Sequence, residues 1–210
     1  MSTLTSFLLT LPAIVIAIGF HEAAHAFVAY QLGDNTARNE GRLTINPLKH
    51  IDPLGIIMLI VFKFGWAKPV PINPNNFKNK KWGTVLTSLA GPVTNLIIAF
   101  IFCVIYILAR VFMKGPLSIV GTFLAMVEAV IAINIGLAVF NFIPIPPLDG
   151  SKVLFALLPN KYYYKFLENQ SIIQIILIFL MFSGIIGRMI LPITSYLYSL
   201  FLNLGYSLLF

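Results

Sequence analysis

The sequence has few charged residues and a single cysteine. Only 10% of its 210 residues are Asp, Glu, Lys or Arg, whereas 59% are apolar, and its mean hydropathy is +0.91. Soluble domains carry about 25% charged residues, so this composition excludes an ordinary soluble fold and indicates a polytopic membrane protein. Cys103 cannot form a disulfide within the chain. No Lys or Arg precedes the first apolar stretch and no small-residue cleavage site follows, so a removable signal peptide is not expected.

Acidic residues are fewer than basic ones, 7 against 14, which gives a net charge of +7. Eight basic residues lie between the first two apolar stretches: Arg38, Arg42, Lys49, Lys63, Lys68, Lys78, Lys80 and Lys81. Three follow the third stretch (Lys152, Lys161 and Lys165), and three lie on the opposite side (Arg110, Lys114 and Arg188). This asymmetry predicts that the first two groups are cytoplasmic and that the N-terminus is outside. The basic excess is therefore explained by topology and contact with lipid headgroups, and no nucleic-acid partner is expected.

Five apolar stretches predict an all-α polytopic membrane protein with about five transmembrane helices. They cover residues 4–32, 84–111, 117–142, 172–191 and 193–210, the last two being separated near Arg188 and Pro192. A short helix is expected at 151–158. We predict a core at 1–158 with three spans, and a C-terminal pair of transmembrane helices at 159–210.

The connection at 34–82 is polar and rich in Gly and Pro. Residues 41–46 alternate like a strand, and residues 55–64 are apolar but too short to cross a bilayer as a helix. We expect a small membrane-associated β-hairpin between the first two spans.

The first span contains the string His21-Glu22-Ala23-Ala24-His25. Four helical residues turn through about 400°, so the two imidazoles share one face, as a zinc ion requires. Glu22 is offset by about 100° and can reach a water molecule at the metal, where it would act as a general base. This pattern also recurs by chance in soluble helices. Here, however, Glu and His are costly to bury in a nearly uncharged segment, which favours a functional site.

A catalytic zinc ion takes three protein ligands and leaves one position open. The other candidates are His50, Asp34, Glu40, Asp52, Glu128, Asp149 and Glu168. Three of these are expected to be surface or helix-end residues: Asp34, Glu40 and Glu168. Asp149 has the strongest case because it follows the Pro-rich residues 144–147, and unwound backbone at membrane depth is tolerated where it lines a cavity. Glu128, in the middle of the third span, remains an alternative.

Three further polar residues have two interpretations each. Asn95 and Asn141 lie in apolar helices and either form interhelical hydrogen bonds or donate to a substrate carbonyl or oxyanion. His50 lies in the first connection and is either a surface group or a group behind the metal ligands or beside the substrate.

The predicted orientation places the motif near the cytoplasmic face. His25 lies seven residues and His21 eleven residues before residue 32, which puts a metal roughly 10–16 Å below that surface. Asp149 follows the third span, which ends on the same side. The active site is therefore expected towards the cytoplasm.

The motifs resemble those of the site-2 protease family of intramembrane zinc metalloproteases. Besides the His-Glu string, residues 141–150 resemble the Asn-x-x-Pro-x-Pro-x-x-Asp-Gly element of that family. Two further stretches also resemble family motifs. They are residues 46–55 and the Ala90-Gly91-Pro92 string, where a close approach of helices is expected. The resemblance covers residues 19–158, and the form is a minimal one without a PDZ or regulatory domain.

The resemblance implies that His21, His25 and Asp149 bind Zn²⁺ and that Glu22 is the catalytic acid and base. It also implies hydrolysis of peptide bonds within or near the transmembrane segment of a single-span membrane protein, as in regulated intramembrane proteolysis. The last two spans are expected to form a gate or a homodimer surface.

The alternative function is a membrane metal-binding protein or a metal transporter without protease activity. A transporter needs ionisable groups along a path through the bilayer, whereas the candidates here cluster on one side.

Overall fold

A computed structural model describes residues 3–62, 65–158 and 169–210 of the chain. These residues form eight α-helices: α1 (Thr3–Gln31), α2 (Thr36–Asn39), α3 (Pro53–Phe62), α4 (Lys80–Phe112), α5 (Leu117–Asn141), α6 (Asp149–Leu157), α7 (Gln170–Phe182) and α8 (Ile185–Leu209). Two short 3₁₀ turns lie at Pro47–Lys49 and Pro74–Asn76. Four of the described helices, α1, α4, α5 and α8, are long and apolar enough to cross a membrane. The protein is therefore a multi-pass, nearly all-helical membrane protein, as its composition predicts.

The prediction of two full spans after residue 171 is not supported. Helix α7 has 13 residues and is about 20 Å long, whereas the hydrocarbon core is about 30 Å thick. The break falls at Ser183–Gly184 instead of near Arg188 and Pro192, and Pro192 lies inside α8. Gly184 has φ +74°, a left-handed conformation that costs glycine little, and this residue separates the two helices.

The predicted β-hairpin is wrong. The described residues between α1 and α4 contain one isolated antiparallel bridge, between Ile51 and Ala67, and no strand. The apolar run forms helix α3 because its start is capped: the Asp52 carboxylate accepts from the backbone N–H groups of Leu54 (2.9 Å) and Gly55 (3.2 Å). Pro53 takes the first helical position, where its missing N–H costs nothing. Hydrophobic periodicity alone does not separate a short strand from a short helix.

An extended segment at 67–72 is held against the C-terminal half of α1. The buried Arg42 guanidinium donates to the carbonyl of Lys68 at 2.7 Å and to that of Pro69 at 3.3 Å. Val70 packs on Ala26 of α1 and Ala37 of α2. These contacts fix the segment beside the His21–His25 turn.

The core lies where α1, α4 and α5 pack together. One apolar cluster joins Ala13, Ile98 and Val130 from these three helices. A second cluster includes Cys103 and Ile131, and aromatic side chains of α8 cover it. Cys103 is a fully buried core residue.

Asp34 is buried, although a surface turn position was expected. Its carboxylate accepts from the backbone N–H groups of Thr36 (3.0 Å) and Asn73 (2.7 Å) and from the Asn76 side chain (2.8 Å). Burial raises the pKa of Asp34, but the hydrogen bonds from Thr36, Asn73 and Asn76 outweigh burial and hold the pKa below its usual range. The carboxylate thus ties the end of α1 to the turn that precedes α4.

We predict that Asp34→Asn lowers the free energy of unfolding by about 1–3 kcal/mol, since hydrogen bonds to a charged acceptor are lost. Because the folded pKa is lowered, this stabilisation is complete above the unfolded pKa of about 3.9 and is lost as the pH falls through the folded pKa. Thermal unfolding in detergent at several pH values measures the difference. Glu40→Gln, at an exposed position, is the control. Equal stability of wild type and Asp34→Asn at pH 7 would contradict the assignment.

Candidate metal centre

His21, His25 and Asp149 meet in the interior of the helix bundle. The Asp149 Oδ2 atom lies 3.1 Å from His21 Nε2 and 3.0 Å from His25 Nε2, and the two Nε2 atoms are 3.1 Å apart. All three side chains are buried. The two histidines lie one turn apart on α1, as their spacing predicts, and Asp149 is the first residue of α6.

Hydrogen bonds behind the imidazoles fix where their protons are. The Nδ1–H of His25 donates to the Thr87 backbone carbonyl at 2.7 Å, and a carbonyl can only accept. The Nδ1–H of His21 donates to Asn95 Oδ1 at 2.6 Å. In a neutral imidazole the other nitrogen is then an acceptor. Both Nε2 lone pairs therefore face Asp149.

The orientation of Asn95 follows from two backbone carbonyls. The Asn134 Nδ2 group donates to the Val130 carbonyl at 2.8 Å, so Asn134 Oδ1 faces Asn95. The Asn95 Nδ2 group donates to that Oδ1 at 2.7 Å and to the Ala17 carbonyl at 3.0 Å. Asn95 Oδ1 is thus left to accept from His21. This chain of amides crosses α5, α4 and α1, and Asn95 contacts a candidate ligand from behind.

The resulting donor set fits a zinc ion. Three ligand atoms that lie 3.0–3.1 Å apart require a positive charge among them, either a proton shared with Asp149 or a metal ion. Tetrahedral zinc at about 2.0–2.1 Å from each ligand separates ligand atoms by about 3.3 Å. Imidazoles that donate their second N–H to a carbonyl or amide are typical of zinc ligands. Among the described residues, this is the one group of three or more His, Cys, Asp or Glu with such geometry.

Gly91 of α4 makes room for the two imidazoles. A Cβ atom at this position would lie 2.5 Å from His25 Nε2 and 2.6 Å from His21 Nε2. Any other residue would therefore push the rings out of place. The close helix approach expected at Ala90-Gly91-Pro92 is present, and the groups that need it are the candidate ligands themselves.

A cavity of about 500 Å³ opens beside the three ligand atoms. Its floor is formed by α1 and α6, and one wall by the end of α5, including Asn141. The segment from Gly65 to Ile72 forms a second wall. Helix α7 covers the cavity with four side chains: Gln174, Leu177, Ile178 and Met181.

Glu22 lines this cavity and is half-buried. Its Oε2 atom accepts from the Val70 backbone N–H at 2.9 Å. One carboxylate oxygen is thus held by the extended segment, on the side of the cavity where the ligand atoms converge.

Lys152 binds the second oxygen of Asp149. Its Nζ atom donates to Asp149 Oδ1 at 2.9 Å. Burial raises the pKa of Asp149, but its hydrogen bonds with His21 and His25 and the nearby charges outweigh burial and hold the pKa well below its usual range. Asp149 is therefore ionised at neutral pH.

The remaining candidates lie elsewhere. His50 is fully buried in the first connection, where its Nε2–H donates to the Thr44 carbonyl at 2.8 Å, and it does not line the cavity. Glu128 is exposed on α5 and accepts from the Tyr198 hydroxyl at 3.3 Å. Asp52 caps α3, Glu40 is exposed at the end of α2, and Glu168 lies outside the described residues.

Other contacts have weaker signals in the sequence. Asn134 is absent from the predicted site residues, although an amide is as unusual in the apolar helix α5 as Asn95 is in α4. Lys152 follows Asp149 by one helical turn, and this spacing predicts a contact once α6 is known to begin at Asp149. The Thr87 carbonyl and the Val70 N–H are backbone groups, which carry no sequence signal.

Comparison with known proteins gives consistent matches. The profile of Peptidase family M50 matches residues 9–184. "Putative zinc metalloprotease YwhC" of Bacillus subtilis is 42% identical over 159 residues, which cover 75% of this chain and 73% of that protein. "Putative zinc metalloprotease MJ0611" of Methanocaldococcus jannaschii is 36% identical over 151 residues, which cover 70% of each chain. "Putative zinc metalloprotease Rip2" of Mycolicibacterium smegmatis is 30% identical, and the match spans 55% of its length. No solved structure gives a significant match.

We predict that Gly91→Ala weakens zinc binding at least about tenfold, because the added Cβ displaces the Nε2 atoms from a common centre. Competition with a chelator of known affinity measures the dissociation constant. Gly121→Ala is the matched control, since a Cβ there meets nothing within 4 Å. Unchanged zinc affinity in Gly91→Ala would mean that the metal lies elsewhere.

Proposed function

Because the chain belongs to peptidase family M50, we propose that it is an intramembrane zinc metalloprotease that hydrolyses peptide bonds in or near the transmembrane segment of single-span membrane proteins. The observation that carries this proposal is the convergence of three candidate ligand atoms beside a cavity that also contains the Glu22 carboxylate. A metal-binding site alone would not require an acid beside an open cavity.

His21, His25 and Asp149 would hold the zinc ion, each through one atom. The chemistry that zinc supplies at such a site is Lewis-acid activation of water and of the scissile carbonyl. The protein itself orients the ligand side chains. Asn95 and the Thr87 carbonyl keep both imidazoles turned with Nε2 towards Asp149.

Glu22 would transfer the proton. Its carboxylate accepts a proton from the attacking water as the C–O bond forms, and then gives it to the leaving amine nitrogen as the C–N bond breaks. The Val70 N–H holds one oxygen of this carboxylate, so the other oxygen is free to face the cavity. This arrangement orients the base before the substrate arrives.

The substrate would be extended where it is cut. Helical carbonyls are engaged in hydrogen bonds within the helix, so a helical substrate must unwind before its peptide bond can be attacked. An unwound peptide can instead lie along the extended segment at 67–72 and pair with its backbone. Asn141 also lines the cavity, and because its Nδ2 group donates to the Leu137 carbonyl at 3.0 Å, its Oδ1 atom would accept from a substrate amide.

Residues 1–158 would form the catalytic core, and α7, in the C-terminal part at 159–210, would cover it, since α7 lines the cavity. The asymmetry of basic residues supports an N-terminus outside the cell and an active site that opens towards the cytoplasm. The ligands then lie near the cytoplasmic end of α1, where water has a short path to them.

We predict that Glu22→Gln lowers turnover by about 10²–10⁴-fold while one zinc ion per chain is retained, because the amide cannot accept the proton. Comparative membrane proteomics of cells that produce wild type or Glu22→Gln detects substrates through fragments lost in the variant. Metal analysis of the purified proteins gives the stoichiometry.

Glu40→Gln, a change of the same type at an exposed position, should retain full activity. If Glu22→Gln cleaved as fast as wild type, Glu22 would not be the base. If wild type bound zinc, released no fragments and carried zinc into proteoliposomes, transport would replace proteolysis as the function.

We predict that the connection before α3 and the connection between α4 and α5 lie on opposite sides of the membrane. In a Cys103→Ala background, an impermeant maleimide added to intact cells should label Lys114→Cys, and should label Lys49→Cys only after permeabilisation. Both replaced lysines are exposed. The reverse labelling pattern would overturn the orientation.

A further inference from the structure

The two oxygens of Asp149 have different partners. Oδ2 faces the Nε2 atoms of His21 and His25 at 3.0–3.1 Å, whereas Oδ1 accepts from Lys152 Nζ at 2.9 Å. The Asp149 side chain is 7% exposed and that of Lys152 is 49% exposed. The ammonium group thus reaches the buried carboxylate from the cavity side.

The place of Lys152 in α6 makes this contact local and rigid. It lies three residues after Asp149, so both side chains share one face of the first turn of α6. Lys152 also lines the cavity beside Glu22. Its charge therefore lies within the site and is not used by the reaction proposed above.

An unoccupied Oδ1 atom would have an alternative partner, the metal ion itself. Carboxylates bind metal ions through one oxygen or through both. With both oxygens of Asp149, two imidazoles and one water molecule, the ion would already have five ligands, and the position that a four-coordinate zinc ion opens to the substrate carbonyl would be taken. An ammonium group on Oδ1 prevents this second bond.

We propose that Lys152 is a positioning residue that keeps Asp149 bound to the metal through Oδ2 alone and so keeps one coordination position open. This inference rests on the proposed function. Lys152 does not serve to tighten metal binding, because a cation near the ion opposes it by charge. Its contribution is to the geometry on which turnover depends.

The test is Lys152→Met, which retains an unbranched side chain and removes the donor. Loaded with Co²⁺ in place of zinc, the variant should show weaker visible absorption bands than wild type, as expected when the coordination number rises from four to five. It should still bind one metal ion per chain. We expect kcat to fall about 10–100-fold with little change in KM.

Lys152→Arg should restore both the spectrum and kcat, since a guanidinium also donates to Oδ1. Lys114→Met, an exposed change between α4 and α5, should have no effect. Thermal unfolding verifies that each variant is folded.

Three results would overturn the inference. They are a cobalt spectrum of Lys152→Met that equals that of wild type, loss of metal from a folded Lys152→Met protein, and a rise in KM at unchanged kcat, which would place the ammonium on the substrate instead. Failure of the proposed function is distinguishable, because wild type itself would then bind no metal or cleave nothing.

Discussion

The structure depends on one electrostatic constraint: three buried ligand atoms share a centre. When both imidazoles are neutral, their two Nε2 lone pairs and the Asp149 carboxylate oxygen, 3.0–3.1 Å apart, are mutually repulsive, and in an apolar interior water does not relieve the repulsion. A divalent cation turns each of these contacts into an attraction. The helices around the site are arranged so that the acceptors cannot turn away from it.

That arrangement is built from backbone groups more than from side chains. The carbonyls of Thr87, Ala17 and Val130 determine, directly or through Asn95, which nitrogen of each histidine carries its proton. These carbonyls accept a second hydrogen bond in addition to any within the helix, so they are available without breaking it. Gly91 removes the one Cβ that would occupy the space of the rings. A metal site in a membrane bundle thus needs few polar side chains.

The sequence predicted the site better than it predicted the connections. The sequence predicts that His21, His25 and Asp149 meet, because polar groups in an apolar chain are costly and stand out, and their ligand atoms do lie close together. The β-hairpin was wrong because ten apolar residues fit a strand or a helix, and the choice was made by the Asp52 cap. Asp34 was misplaced because its burial depends on Asn73 and Asn76, about forty residues away. Such long-range contacts leave no local pattern in the sequence.

The three candidate ligands come from two helices, α1 and α6, because the motif on α1 cannot supply all three. One straight helix presents two ligands a turn apart, but its next side chain on that face is too far along the axis to reach the same ion. The third ligand must approach from another direction. The proline-rich turn at 144–147 ends α5 and lets α6 begin at Asp149, with its carboxylate at the positive end of the new helix. An ion held by these three side chains would be enclosed on the side of α1 and α6, and the side that remains is the cavity that Glu22 lines. The same break in the backbone would therefore complete the proposed metal site and open it to substrate.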